Sequence, residues 1–509
     1  MKIQIFLFLI FMASSEIFPQ EWPQHQRDAA RTGRTNIEVP PPYRTRWIWL
    51  GDDLTLRNQN SEPGWTDNLT SQEGYSFPLP DSVPFTISQM VQPVISNGKV
   101  FFGTQEGSAY AITAFDGATL WKSEVSGGIL VSAAVNDGVV VFAGVAGIVK
   151  AFDIDDGSTL WAQQLKYAIT TAPCIVGESV FVADHRGRAS AFDIHSGSLL
   201  WQKNLSAPVT GGIAASGSSV FIPCEDMMVY ALSQQTGEIK ASKQVRGQSF
   251  RMTFPVVFNE FLYVTSAMTP LMGSEYVMEE VMESSLTLED EENNIRLWLQ
   301  GNDNGGNWPR ASVDWQHVFA LDTTNLQSSF IIAAGPVEGC GYPPDPVVVD
   351  YMDRVLCWWK TRFPKLTSES AFGTNYSLDI CGINTTNGNR IPIDNGHLSN
   401  ALQETDNLFA MSSGGKYLWL RQDFRGTQVI DLSNSTSTHV QAQIRRQDGG
   451  YWTANICYLD QNPPYNFKGG PVITGQTSIA GRTEPSIAGN LVFISESFGI
   501  VAIEHDNQK

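Results

Sequence analysis

Basic residues are scarce in this 509-residue sequence, which has 33 Lys and Arg against 52 Asp and Glu and a formal net charge of −19. Binding to phosphate backbones or anionic lipid headgroups needs clustered Lys and Arg, so nucleic acid and membrane surfaces are not expected partners. Charged residues make up only 17% of the chain, whereas 44 Gly, 26 Pro and 14 Trp are typical of short strands joined by tight turns. An all-helical fold is therefore not expected.

Long apolar runs are also missing. The N-terminal run from Ile3 to Met12 has about half of the roughly 20 residues that a membrane-spanning helix needs. One Lys precedes the run and small residues follow it, which is the pattern of a secretory signal peptide. We predict that residues 1–20 are a signal peptide and that the mature protein is periplasmic or extracellular, monomeric and not inserted in the membrane. No Cys precedes Cys174, so a lipid anchor is not expected.

Metal-binding and nucleophile motifs are absent as well. The sequence contains no CxxC, no CxxCH, no adjacent Cys pair, no HxH, no HExxH and no GxSxG. A zinc cluster, a covalently attached haem and a nucleophile elbow therefore lack their residues. An even number of Cys in an exported chain permits up to three disulfides, although buried thiols are the alternative and the pairing stays open. The six are Cys174, Cys224, Cys340, Cys357, Cys381 and Cys457.

What the sequence does contain is a repeat with a period of 40 residues. Four consecutive segments place a Gly at the same position, and three of them place a Trp four residues later, where the fourth has Ala241. Such a period is typical of a propeller blade or a helical array. We interpret the Trp side chains as packing residues between blades, although aromatic residues can also bind sugars or bases. The repeated residues are Gly117, Gly157, Gly197 and Gly237, with Trp121, Trp161 and Trp201.

One period contains four strand-like runs separated by three turns. Between Val131 and Gln164, β-branched and apolar runs alternate with turns such as Asn136-Asp137-Gly138 and Asp156-Gly157. A tight hairpin turn needs positive φ, which Gly adopts without a Cβ clash. Four antiparallel strands in each period predict a β-propeller blade.

The repeated segment "A-x-D-x-x-[TSD]-G-x-x-L-W" resembles the PQQ-type β-propeller repeat. That family includes quinoprotein dehydrogenases and BamB-like proteins of outer-membrane assembly. The opening "WPQHQRDAARTGRT", residues 22–35, is similar to the short segment that precedes the first blade in many secreted members. The strong match covers residues 92–245.

Weaker versions of the pattern extend the prediction to a single domain over residues 21–509. We expect an all-β, eight-bladed propeller with a small helical insertion, or seven blades if the sixth or seventh is misassigned. The eighth blade lacks an outer strand, and "RWIWL" at residues 46–50 is predicted to supply it and close the ring. The predicted blades are near 92–125, 131–165, 172–205, 213–245, 255–332, 346–394, 406–441 and 483–505, and the insertions are 51–90, 267–316, 361–375 and 442–482.

The insertions are predicted to share one face of the propeller. Connections between blades and connections between the second and third strands of a blade emerge on the same face, here called the insertion face. The short turns after the first and third strands lie on the opposite face, the turn face. Insertions gathered on one side of a repeat protein usually mark its binding side.

The insertion at 267–316 carries a run of eight acidic residues with no basic one. The spacing predicts a short amphipathic helix, either a solvated helix on the rim or a docking site for a basic partner. A second candidate on the same face is a turn with His185, Arg186 and Arg188, although a surface ion pair with Asp184 is the alternative. The acidic candidates are Glu275, Glu279, Glu280, Glu283, Glu289, Asp290, Glu291 and Glu292.

The resemblance to quinoprotein dehydrogenases implies an adjacent-Cys disulfide, Ca²⁺ ligands and an Asp base around PQQ. The Cys-Cys pair is missing, and neither a base nor a Ca²⁺ triad can be aligned, so no catalytic, cofactor-binding or metal residue is assigned. We therefore predict a non-catalytic scaffold at the cell envelope that binds a protein, one that is basic or presents an extended strand. The alternatives are a PQQ-dependent enzyme and a carbohydrate- or surface-binding module that would use Trp65, Trp308, Trp315 and Trp452.

Overall fold

A computed structural model of the chain describes residues 21–52, 54–57, 86–267, 274–308, 316–334, 347–361, 377–391, 393, 408–422, 426–434, 436–440, 442–445, 451–454, 483–496 and 498–506. The predicted signal peptide at residues 1–20 lies outside the described residues. Most residues of the predicted insertions at 51–90, 361–375 and 442–482 also lie outside the described residues.

The chain forms a propeller of eight four-stranded antiparallel blades, which confirms the predicted fold class and blade number. Blades 1 to 4 follow the 40-residue period. Blade 1 comprises Val94–Ser96, Lys99–Gly103, Ser108–Thr113 and Thr119–Glu124. Blade 2 comprises Ala134–Asn136, Val139–Gly144, Ile148–Asp153 and Thr159–Gln164. Blade 3 comprises Cys174–Val176, Ser179–Ala183, Arg188–Asp193 and Leu199–Asn204, and blade 4 comprises Ala214–Ser216, Ser219–Pro223, Met228–Ser233 and Ile239–Gln244.

Blades 5 to 8 keep the same strand order despite the decayed repeat. Blade 5 comprises Val256–Phe258, Phe261–Thr265, Val318–Asp322 and Ser328–Ile331. Blade 6 comprises Val348–Val349, Val355–Thr361, Ser377–Ile383 and Arg390–Ile391. Blade 7 comprises Leu408–Gly414, Tyr417–Gln422, Gly426–Asp431 and Thr436–Val440. Blade 8 comprises Ser486–Ala488, Leu491–Glu496, Gly499–His505 and Tyr43–Gly51.

The eighth blade is closed by the N-terminal strand, as the sequence predicts. Tyr43–Gly51 pairs antiparallel with Gly499–His505, the third strand of blade 8. Arg44 and Arg46 both donate to the Glu504 carboxylate, at 2.7 and 2.6 Å, which adds ion pairs to the strand pairing. The ring is therefore closed by residues from the two ends of the described chain.

Blade 8 has a fifth strand, which is formed by residues of the first predicted insertion and does not stay on the insertion face as predicted. Leu54–Arg57 pairs with the outer side of Tyr43–Gly51, so the chain turns back down the rim of the blade instead of staying on the insertion face. At its end, Arg57 donates to the carbonyl of Asp116 in a turn of blade 1 on the turn face. A separate hairpin, Ala442–Arg445 with Tyr451–Ala454, contacts the strand Tyr43–Gly51. Part of the inserted sequence thus reinforces the closure of the ring.

The repeated Trp side chains lie between neighbouring blades. Trp121 donates from Nε1 to the carbonyl of Ile154 in the next blade at 3.1 Å, and its ring covers Gly157, where a Cβ would lie 2.6 Å from the indole. Gly157 has φ +69°, so its turn needs Gly both for conformation and for space. Trp161 and Trp201 make the same contacts one and two blades further on.

Two helices lie between the second and third strands of blade 5. Helix α1 is Ser274–Glu283 and helix α2 is Leu288–Leu299, followed by a single 3-10 turn at Asn304–Gly306. Thr287 caps α2, because its side chain accepts a hydrogen bond from the backbone N–H of Asp290. This is the predicted helical insertion, and it contains a second helix that the acidic pattern did not indicate. Among the described residues no helix is long and apolar enough to cross a membrane.

Candidate functional site

The axis of the propeller is occupied by the chain's own N-terminal segment. The first strands of neighbouring blades contact one another from blade 6 through blades 7, 8 and 1 to blade 5, so they line the axis. Residues 21–35 run along these strands from blade 1 to blade 7, and Arg34–Thr35 pairs in parallel with the first strand of blade 7. We call residues 21–35 the axial segment.

Each of the first seven blades donates one backbone N–H from its first strand to the axial segment. Six of these bonds go to carbonyls of the segment, and the bond from Ile175 goes to the side-chain oxygen of Gln24. The donors in blades 1 to 4 are 40 residues apart, so the repeat places one equivalent donor at the axis in each of these four blades. The segment therefore pairs the inner sheet edges that would otherwise be open. The donors are Ile95, Val135, Ile175, Ala215, Val257, Val349 and Ser413.

Arg31 anchors the axial segment between blades 3 and 4. Its side chain is 1% exposed, and its guanidinium donates to the carbonyls of Ile213, Pro173 and His25 at 2.9, 3.0 and 2.6 Å. Burial, together with the nearby Arg31 charge, holds the pKa of His25 well below its usual range, so His25 is neutral at pH 7. A buried cation with carbonyl partners on two blades fixes the position of the segment.

A ligand on the axis would have to displace this segment. The side chains of Trp22, Gln24 and Gln26 are also buried there, and Gln26 donates to the carbonyl of Met411 in blade 7. Within the part of the chain that the structure describes, no group of three or more His, Cys, Asp or Glu could hold a metal ion. The axis is thus built as a packed core.

The helical insertion is held firmly against the insertion face. Its buried side chains join a core shared with blades 5 and 6, in which Trp298 is completely buried and Trp308 donates to the hydroxyl of Ser284 at 3.1 Å. Arg296 in α2 reaches the side chain of Asn389 in blade 6. The insertion side chains in this core are Met278, Val281, Met282, Ile295, Trp298, Leu299 and Trp308.

The outer surface of the insertion is acidic and also exposes two apolar side chains, Leu286 and Leu297. Leu286, between the two helices, is 86% exposed. Several of the candidate carboxylates lie near it on the two helices and face solvent. The exposed candidates are Glu280, Glu283, Glu289 and Asp290.

Two of the acidic candidates point inward. Glu291 and Glu292 are buried, and the Glu292 carboxylate accepts a hydrogen bond from the backbone N–H of Arg390 at 2.9 Å. Burial raises the pKa of Glu292 above its usual range. Glu292 connects the insertion to blade 6, and neither of these buried side chains is available to a partner. The side chains of Glu275 and Glu279 lie outside the described residues.

The basic candidates lie in a turn of blade 3. Asp184 is buried, and its carboxylate accepts from the backbone N–H groups of Arg186 and Arg188 and from the Arg188 side chain, with an ion pair of 3.0 Å. The His185 ring lies 2.6 Å from the hydroxyl of Thr170. The turn belongs to the insertion face, but a different blade carries it, so the fold does not join these residues to the acidic helices. The geometry agrees with an ion pair that stabilises the turn.

Of the aromatic residues predicted to bind carbohydrate, the one whose side chain the structure describes is not exposed. Trp308 is buried in the core of the insertion. Trp65 and Trp315 lie outside the described residues, as does the side chain of Trp452. Residues 301–308, "GNDNGGNW", contain the 3-10 turn at Asn304–Gly306.

Comparison with known proteins agrees with the repeat. Residues 55–272 and 187–298 match the family model described as outer membrane protein assembly factor BamB, together a little under half of the chain. The chain is similar to this family over the matched residues, and its fold is an eight-bladed β-propeller.

Two solved structures share the fold of this propeller. The crystal structure of BamB from Moraxella catarrhalis has a TM-score of 0.50 and 14% identity, over 82% of this chain and 97% of that one. The computationally designed Ika8 protein has a TM-score of 0.50 and 14% identity, over 84% of this chain and 98% of that one. No curated protein matches the chain in sequence. At this identity the likeness establishes the fold alone.

Two features of the propeller were not predicted from the sequence. The role of the axial segment was not predicted, because its largely polar sequence does not indicate burial along the axis. Trp47 continues the Trp series: it donates to the carbonyl of Ala114 at 3.0 Å, and its ring covers Gly117. The sequence indicates this contact, because each of the other repeated Gly residues has a repeated Trp in the preceding blade and Gly117 has none. A Trp from elsewhere in the chain is therefore expected to cover Gly117.

Proposed function

We propose that this BamB-like propeller is a non-catalytic, exported module of the cell envelope that binds a protein partner on its insertion face. The single observation that carries the proposal is the helical insertion, which is anchored by a shared core and presents carboxylates and Leu286 outward. An acidic surface that includes an exposed apolar side chain suits a basic protein with an apolar anchor. The name of the matched family, an outer membrane protein assembly factor, supports a role in envelope assembly.

The partner is expected to be attracted mainly by the exposed carboxylates. Charge pairs at the edge of an interface steer association. Salt weakens them, because the Debye length falls from more than about 10 Å to roughly 4 Å when the salt concentration rises from ~0.05 to ~0.5 M. Charge reversal is a cleaner test than deletion. Removing the helices would uncover Tyr263 and Trp359, which belong to the shared core.

Reversing Glu280 and Glu289 to Lys should reduce partner recovery several-fold, since both carboxylates are exposed on the outer side of the helices. The measurement is affinity capture from an envelope extract at low and high salt, with partners identified by mass spectrometry. Raising the salt should produce a similar loss for the wild type.

The matched control reverses two exposed carboxylates on the turn face, Glu178→Lys with Glu238→Lys. This variant has the same net charge as the test variant and should recover the partner like the wild type at low salt. Equal losses in both variants would point to a general charge effect. Equal recovery in every sample would remove the acidic helices from the binding site.

We also propose that the protein binds no cofactor on its axis. Support comes from the missing adjacent Cys pair and from the axial segment, whose Arg31 and Gln24 use their polar atoms on the blades. Titration with PQQ and Ca²⁺ is expected to give no saturable absorbance change and no dye-linked oxidation of alcohols or sugars. A saturable spectrum accompanied by dehydrogenase activity would replace the binding proposal with the enzyme.

A further inference from the structure

Two cysteines lie directly opposite each other in blade 6. The second strand, Val355–Thr361, pairs antiparallel with the third strand, Ser377–Ile383, and the register places Cys357 against Cys381. Residues that are directly opposite in a ladder point to the same face of the sheet. The two sulfur-bearing side chains are therefore neighbours by strand pairing, although 24 positions separate them in the sequence.

The spacing of an antiparallel ladder suits a disulfide. Directly opposed residues have Cα atoms about 4.5 or 5.5 Å apart, depending on the type of pair. Disulfides span Cα distances of about 4.4–6.8 Å, so either type of pair falls within the range. The other described cysteines lack this arrangement: Cys174 is opposite Phe181, and Cys224 follows the end of its strand.

Both side chains lie in the core beneath the helical insertion. Cys357 is 1% exposed and Cys381 is 4% exposed, and both belong to the cluster that contains Trp359 and Trp298. Burial raises the pKa of the Cys357 thiol far above its usual range, so the folded blade holds little thiolate there. A bond between these residues would therefore form most readily while the blade is still opening and closing during folding.

The structure shows no bond between the two sulfur atoms. We propose that oxidation joins Cys357 and Cys381 in a disulfide between the second and third strands of blade 6. The oxidant is a disulfide compound, either oxidised glutathione or a protein disulfide oxidase. One cysteine thiolate attacks the oxidant and releases its first thiol, and the second thiolate then attacks the mixed disulfide and releases the other. Two electrons pass to the oxidant, and the two protons that the cysteines lose are taken up by the two released thiolates.

The bond would hold together the two strands on either side of residues 362–376. It would also fix one wall of the core on which helices α1 and α2 rest, because Cys357 and Cys381 share that core. This inference goes beyond the proposed binding function. It does not depend on export, since the chemistry can be tested on purified protein.

The test is a peptide map of the full-length protein refolded in a glutathione redox buffer. Thiols are blocked with N-ethylmaleimide under denaturing, non-reducing conditions, and the protein is then cut with trypsin. Cleavage after Arg354, Lys360, Lys365 and Arg390 puts Cys357 on peptide 355–360 and Cys381 on peptide 366–390. The expected result is a crosslinked pair of these two peptides as the major form, which reduction separates.

Maleimide on both cysteines would overturn the proposal, and so would a bond from either one to Cys340 or Cys457. Cys174→Ala and Cys224→Ala serve as matched controls and should leave the crosslinked pair unchanged. Cys357→Ala should leave Cys381 labelled by maleimide. If that variant does not fold, the map of the wild type still decides the question.

Discussion

A chain that lacks residues 21–50 is expected to aggregate or to lose its cooperative thermal transition. The truncation removes the outer strand of blade 8, which pairs with Gly499–His505, and the axial segment, which pairs with seven blades. It leaves an open sheet edge at the ring closure and unpaired backbone donors along the axis. Size-exclusion chromatography and differential scanning calorimetry measure the outcome.

A shorter truncation separates the two contributions. Removal of residues 21–35 keeps Tyr43–Gly51, so the ring can still close while the axis is emptied. We expect a folded but less stable monomer, because buried donors and carbonyls such as those around Arg31 lose their partners. A long truncation that stays soluble with the wild-type melting profile would contradict the role of the closing strand.

Trp161→Ala is expected to lower the free energy of unfolding by about 3–5 kcal/mol, the usual cost of removing a large aromatic residue from a core. The side chain is 7% exposed and donates to the carbonyl of Ile194 in the next blade at 2.6 Å. Its loss leaves both a cavity over Gly197 and an unpaired carbonyl between two blades. Urea unfolding followed by circular dichroism measures the change.

Leu160→Ala is the matched control, because the neighbouring Leu160 is 44% exposed on the same strand. A substitution at such a surface position is expected to change stability by about 0.5 kcal/mol or less. Partner recovery should follow stability in both variants. A Trp161→Ala protein that unfolds like the wild type but fails to bind would assign the Trp to a binding role.

The fold could be predicted in detail where the repeat is regular. Blades 1 to 4 are local structures, since each hairpin is specified by its own turn and its own alternation of apolar residues. The turn at Asp137-Gly138, for example, has φ values of +47° and +76°, which is the conformation that its residue types favour. The closing strand could also be predicted from the sequence, because an eighth blade with three strands needs a fourth strand from elsewhere in the chain.

The candidate site could be predicted only in part, because it depends on contacts distant in sequence. The acidic pattern indicates a helix, but which carboxylates point outward depends on how that helix packs on blade 6, as Glu292 illustrates. The position of the axial segment likewise depends on donors from seven blades, and no local pattern encodes their convergence. Predicting that Cys357 lies opposite Cys381 requires the strand register. The register cannot be read from the sequence, because an insertion of unpredicted path separates the two strands.

The axial segment also has a consequence for the order of folding. Its Gln26 bonds to Met411, 385 residues later in the chain, and Arg44 pairs with Glu504 across 460 residues. Contacts between such distant residues form late, because the chain entropy lost in closing the loop must be offset first. The first residues of the axial segment to leave the ribosome therefore wait for the last blades before they reach their final partners. Folding of the complete ring is expected to be slow and post-translational.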